Sequence, residues 1–184
     1  DLYISNTAQI SNQGDRFWDN IGGAQGGMIG FYVDATDERW INIGGPGSSI
    51  PASHVLAFSG NFIDWSCESD FADLDADGHQ DLFHGSYGGA MGGQVPSRIF
   101  LNDGDGHFEE FNPSGFQLIS SNLADGQPGL WCNGTQQDET TNATGAFCDV
   151  ATAVENVELF DFDGDLDVDI LMGSLHDSPR MFQN

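Results

Sequence analysis

Basic side chains are almost missing from this chain. Lys and Arg together number four against 29 Asp and Glu, a formal charge of −25 over 184 residues. A surface so acidic repels a nucleic-acid backbone and an anionic lipid face, which excludes both as partners. Long apolar runs are missing as well: nothing approaches the roughly 18 apolar residues that cross a bilayer, and no basic-then-apolar leader opens the sequence. The expectation is a soluble piece with no membrane insertion, and export remains compatible with it because a mature chain has lost its leader. Catalytic signatures are lacking too. There is no G-x-S-x-G elbow, no H-E-x-x-H helix and no G-x-x-x-x-G-K phosphate cradle, and four basic groups offer little to stabilise an oxyanion. The five histidines, His54, His79, His84, His107 and His176, have no zinc-ligand spacing and read as surface or satisfied strand residues. The chain is expected not to be an enzyme.

Cysteine is scarce and odd in number: Cys67, Cys132 and Cys148. Cys132 and Cys148 bracket a polar stretch without apolar periodicity, and a disulfide across it would contribute about 3 kcal/mol in the chain-entropy model. Cys67 paired with either one, or three reduced thiols, are the alternatives. The same stretch carries two sequons, Asn133-Gly134-Thr135 and Asn142-Ala143-Thr144, which make Asn133 and Asn142 candidate glycosylation sites. Trp131, beside this insertion, is the best candidate for an exposed aromatic that stacks on a sugar, whereas Trp18 is expected in the core.

Aspartate is what the chain has in excess, and it is concentrated. Asp73, Asp75, Asp77 and Asp81 occupy positions one, three, five and nine of one short loop, and Asp161, Asp163, Asp165 and Asp169 occupy the same positions of another. Four carboxylates in one turn repel each other unless a hard divalent cation sits among them and supplies what lost water supplied. The spacing suits Ca2+, at two sites. An EF-hand would need a Glu at position twelve, where His84 and Met172 stand instead, and the flanks read as strands rather than helices. The other acids read as a surface kept soluble in a salty or calcium-rich medium.

The loops belong to a longer repeat. Arg16-Phe17-Trp18-Asp19-Asn20, Arg98-Ile99-Phe100-Leu101-Asn102 and Arg180-Met181-Phe182-Gln183-Asn184 share one pattern, with arginines at 16, 98 and 180, 82 apart each time. Upstream, Asp81-Leu82-Phe83-His84-Gly85-Ser86 and Asp169-Ile170-Leu171-Met172-Gly173-Ser174 close the two loops and begin strands. Asp1-Leu2-Tyr3-Ile4 fits the same slot, so Asp1 is the candidate ninth-position ligand of part of a third site. Both ends are expected to cut a repeat midway, with units of approximately 1–80, 81–168 and 169–184 in a single segment. Short aromatic or β-branched segments at 28–33, 39–43, 54–58 and 157–160 predict strands, and Asn102-Asp103-Gly104-Asp105-Gly106 predicts a hairpin turn. The fold class expected is all-β, of β-propeller-type blades with long loop insertions around 44–53 and 123–146.

The acidic loops, the Gly-Ser strands that follow them and the Arg-x-x-x-Asn segments together resemble FG-GAP/VCBS repeats, the calcium-binding blades found in the head of integrin α subunits. The resemblance touches most of the chain. It implies that Asp73, Asp75, Asp77 and Asp81 hold one calcium with the carbonyl of His79, and that Asp161, Asp163, Asp165 and Asp169 hold another with the carbonyl of Asp167. The chain departs from the family pattern at Ala76 and Leu166, where glycine is usual, which predicts strained or different turn geometry. The function expected is a calcium-stabilised, non-catalytic adhesion or assembly module, extracellular, at a cell surface or in a periplasm. Its partners would be a protein or glycan there, the remaining repeats of the same polypeptide, or other copies. The alternatives are a lectin-like glycan-binding module and an accessory domain of a larger polysaccharide-active enzyme.

Overall fold

The computed structural model describes residues 1–5, 14–22, 26, 28–45, 66–86, 97–111, 154–174 and 179–184. Cys132, Cys148, Asn133, Asn142, Trp131, the segment 54–58 and most of both expected insertions lie outside them. The described residues form strands in three open sheets with one helical turn, so the chain is all-β. Among them the sheets close into no barrel or ring, and no helix is long and apolar enough to cross a membrane.

The first sheet has the order β1 (Leu2–Ile4), β2 (Arg16–Asn20), β3 (Tyr32–Asp34), all antiparallel. The strand expected at 28–33 begins only at Tyr32, because Phe31 N–H donates to the Met28 carbonyl and Gly30 takes φ +82°, making a turn of its first half. A helical turn, α1 (Thr36–Arg39), leads to β4 (Trp40–Ile41). The second sheet adds β5 (Ser66–Ala72), β6 (Asp81–Ser86), β7 (Arg98–Asn102) and β8 (Phe108–Glu110) in the order β4-β8-β7-β6-β5. Only β4 runs parallel to its neighbour. The third sheet is β11-β10-β9, from β9 (Val154–Phe160), β10 (Asp169–Ser174) and β11 (Arg180–Phe182).

The repeat seen in sequence is one hairpin built three times. Leu2 pairs with Trp18, Leu82 with Phe100 and Ile170 with Phe182; one step on, Tyr3 pairs with Phe17, Phe83 with Ile99 and Leu171 with Met181. Each hairpin is locked at its base by the same bond, the N–H of Asn20, Asn102 or Asn184 donating to Oδ1 of Asp1, Asp81 or Asp169 at 2.9, 2.8 and 3.0 Å. The Arg-x-x-x-Asn motif therefore ends where the loop aspartate can cap it, and Asp1 takes the same place as Asp81 and Asp169.

Strand alternation gives each hairpin two faces. The face carrying Leu82 and Phe100 in the second sheet packs against Tyr3 and Phe17 of the first, with Trp40 and Phe108 completing that core. The face carrying Ile170, Met172 and Phe182 in the third sheet packs against Phe83 and Ile99 of the second. The sheets are thus stacked in one sense, leading face on the previous sheet's trailing face. A polar knot joins the first two: Tyr3 donates to Asp15 at 2.7 Å, Ser66 donates to its other oxygen at 2.7 Å, and His84 Nδ1 lies 3.2 Å from Asp15. Trp18, expected in the core, is only half-buried, because it lies on the leading face of the first sheet, which no described sheet covers.

Candidate metal centres

The two acidic loops join β5 to β6 and β9 to β10, and their carboxylates organise them in the same way. The first aspartate accepts from the N–H at loop position six, Gly78 to Asp73 at 2.9 Å and Leu166 to Asp161 at 3.1 Å. The third accepts from position five, Asp77 to Asp75 and Asp165 to Asp163, both at 3.2 Å. The ninth accepts from position two, Leu74 to Asp81 and Phe162 to Asp169, both at 2.8 Å. Asx-type bonds of this kind satisfy backbone donors where no ladder can reach them.

Such winding needs left-handed backbone at positions four and six. One glycine serves in each loop, Gly78 at φ +94° and Gly164 at +84°, while Ala76 and Leu166 occupy the other positions at +60° and +80°. Both loops thus take left-handed backbone at these positions whether glycine or a residue with a Cβ stands there. A non-glycine residue in this region costs on the order of 1–2 kcal/mol, which the loop's bonds must offset.

The winding brings one oxygen from each of Asp73, Asp75 and Asp81 within 4.8 Å of one another, and likewise Asp161, Asp163 and Asp169. Two equivalent all-oxygen groups result, each able to hold a metal ion. Asp77 and Asp165 fall outside these groups and instead accept from the N–H of His79 and Asp167. His79 also packs its imidazole beside Gly104, in the turn between β7 and β8. Gln183, absent from the expected set, donates to Asp163 at 2.9 Å, and Asn184 donates to the Leu74 carbonyl at 2.8 Å, tying the third hairpin to the first loop.

The members of each group differ in setting. Asp81 and Asp169 are buried at the strand start, whereas Asp75, Asp161 and Asp163 are exposed. Burial pushes the Asp81 carboxyl above its ordinary range, helped by the charge of Asp75 and opposed by the Asn102 and Leu74 N–H groups. Asp163 is raised as well, by desolvation in its crowded loop and then by the charge of Asp165. Carboxylates arranged so that their charge is unwelcome are suited to a cation that would stabilise it.

Asp103, in the hairpin turn after β7, shows the opposite behaviour. It accepts from the His107 N–H and then from Asp105 N–H, which hold it below the usual carboxylate range, and it pairs with the His107 ring. Its acids serve the turn and join no metal-holding group among the described residues. A cavity of ≈ 300 Å³ opens between the first and second sheets, with Tyr3, Phe17, Phe71 and Phe108 as its apolar wall and Asp19 and Arg39 on its rim. No protein-family model, curated protein or solved structure matches this chain.

Proposed function

We propose that this chain is a calcium-stabilised, non-catalytic β-repeat module of the propeller-blade kind, which presents loops and sheet edges for adhesion or assembly outside the cell. The observation that carries the reading is the gathering of three carboxylates at loop positions one, three and nine, in two copies with the same bonding. Oxygen-only donors favour a hard cation, and a loop able to adapt its ligand number suits calcium better than magnesium, which demands a tighter octahedron. The remaining ligands would come from Asp77 and Asp165 with the carbonyls of His79 and Asp167, or from water.

Calcium should therefore raise stability. At a hundredfold excess over its dissociation constant each site contributes ~2.7 kcal/mol, which is about 5–10 °C in Tm for a chain of this size. Melts with calcium, with magnesium and with excess chelator check this, and Asp81→Ala with Asp169→Ala should remove the calcium increment. A melt that chelator leaves unmoved would falsify the reading.

The pH dependence should invert with the metal. In the metal-free fold Asp81 and Asp163 have pKa values above the unfolded 3.8. Their contribution is thus fully present below 3.8 and lost as pH rises through the raised folded values. Acidifying the metal-free chain from neutrality should make these two groups more favourable to folding. With calcium bound the sign reverses, because the ion must be displaced by protons. Carboxyl NMR titration in chelator and in calcium reads both directions.

The glycan-binding alternative is favoured by one feature, the cavity with its aromatic wall and its Asp19–Arg39 rim. Such a mixture accepts a pyranose ring, and a glycan array lacking calcium-dependent hits would dismiss it.

A further inference from the structure

Among the described residues, two faces of the three-sheet stack have no sheet against them, and the repeat register says what each is built to meet. In the second and third sheets the leading face is covered by the trailing face of the sheet before. The corresponding leading face of the first sheet carries Leu2, Ile4 and Trp18, at the positions of Leu82, His84 and Phe100. Leu2 is 48%, Ile4 49% and nearby Tyr32 40% exposed, although every counterpart in the second sheet is buried. At the other end, the trailing face of the third sheet carries Leu171 and Met181, at the positions where Phe83 and Ile99 are buried under the third sheet. Beside it, Phe162 is 61% exposed at loop position two, where its counterpart Leu74 inserts into the core between the second and third sheets. A solvated strand face normally alternates to polar residues; each of these carries apolar residues at its centre beside charged ones, Arg16 and Asp34 on the first and Glu158 on the second.

We infer that the leading face of the first sheet in one copy of this chain docks on the trailing face of the third sheet in a second copy, continuing the internal stack head to tail. The interface would repeat one the chain already makes twice, with Leu2, Ile4 and Trp18 on one side and Leu171 and Met181 at the matching register on the other. Such an association is heterologous, so it closes into a ring or extends as a filament rather than stopping at a symmetric dimer. A chain of formal charge −25 resists its own copies, so association should strengthen with salt and with added divalent cation. The inference rests on the repeat reading, and not on calcium being the ion.

Sedimentation of the full chain from about 1 to 100 μM, in 0.15 M salt with calcium, should show mass rising beyond the monomer. Ile4→Glu alters only the leading face and Met181→Glu only the trailing face. Each alone should weaken association at least tenfold and stop growth beyond the monomer, while their equimolar mixture should form a dimer, because one intact face of each kind remains. Should Ile4→Glu lose its strand signal in circular dichroism, Leu2→Glu tests the same face. A wild-type chain that stays monomeric at 100 μM overturns the inference. So does self-association that survives in Met181→Glu alone, since that would be leading face on leading face. Association of the expected pattern in a chain whose melt ignores chelator would retain this inference and remove the calcium reading; the reverse result would do the opposite.

Discussion

Glu110→Gln is expected to destabilise the fold by about 3–5 kcal/mol, while Arg16→Gln costs less than about 1 kcal/mol. Both changes break an arginine–carboxylate pair at the same place in the repeat. Arg98 donates to Glu110 at 2.9 Å with side chains 0% and 3% exposed, whereas Arg16 pairs with Asp34 at 42% and 33%. The difference lies in what covers them. Arg98 is fully buried on the leading face of the second sheet, so a guanidinium that loses the Glu110 carboxylate there cannot replace it with water. Arg16 is on the leading face of the first sheet and is solvated whether or not Asp34 is nearby. Urea unfolding of the two variants at one calcium concentration measures the contrast. Equal and small losses would mean that Arg98 reaches solvent in solution and that the first two sheets do not stack as described. Arg98→Met added to Glu110→Gln, which replaces the guanidinium by an apolar side chain, should recover part of what Glu110→Gln alone loses, because the desolvation penalty disappears with the pair.

Much of this arrangement was legible in sequence because it is local. The acidic loops, the hairpin turn at 102–106 and the arginines at 82-residue spacing each state a short-range rule, and the structure builds one hairpin from each copy in one register. Ala76 and Leu166 stood out against the glycine pattern and are the non-glycine residues with positive φ in the two loops. What stayed hidden depends on partners distant in the chain. The knot of Tyr3, Asp15, Ser66 and His84 joins residues up to 81 positions apart, and nothing in the residues around His84 announces it. Trp18 was misread for the same reason: its counterparts Phe100 and Phe182 are buried against a neighbouring sheet, and no local pattern reveals that among the described residues no sheet lies against its own face. Asp77 and Asp165 differ from their neighbours only in placement: all four carboxylates of each loop accept N–H groups of that loop, and turn geometry gathers those at positions one, three and nine.

Gly85→Ala should destabilise the chain by about 1–3 kcal/mol or more through overpacking, whereas Gly173→Ala should be neutral or gain a few tenths of a kcal/mol by stiffening the unfolded chain. The two glycines begin the same Gly-Ser pair in equivalent strands, β6 and β10, so sequence alone treats them alike. Their surroundings do not. A Cβ on Gly85 would come well inside 3.0 Å of the Glu68 carbonyl oxygen and to 3.0 Å of Val154 Cγ1. Glu68 lies at the bulge where β5 slips in register between Ser66 and Ser69, which draws its backbone toward β6, and Val154 opens the strand that packs the third sheet on the second. A backbone carbonyl between paired residues cannot rotate aside as a long side chain can, so the strain has to spread into the β5–β6 pairing or push Val154 out of the core. At Gly173 the nearest atoms are Asn156 Cβ and its carbonyl oxygen at 3.7 and 3.8 Å, ordinary contact distances. Thermal melts of both variants in calcium check the asymmetry, and hydrogen exchange should locate the Gly85→Ala loss in β5, β6 and β9 rather than in the acidic loops. Two variants of equal stability would show that the Glu68 bulge does not crowd β6 at Gly85 and that Val154 of the third sheet can move aside there.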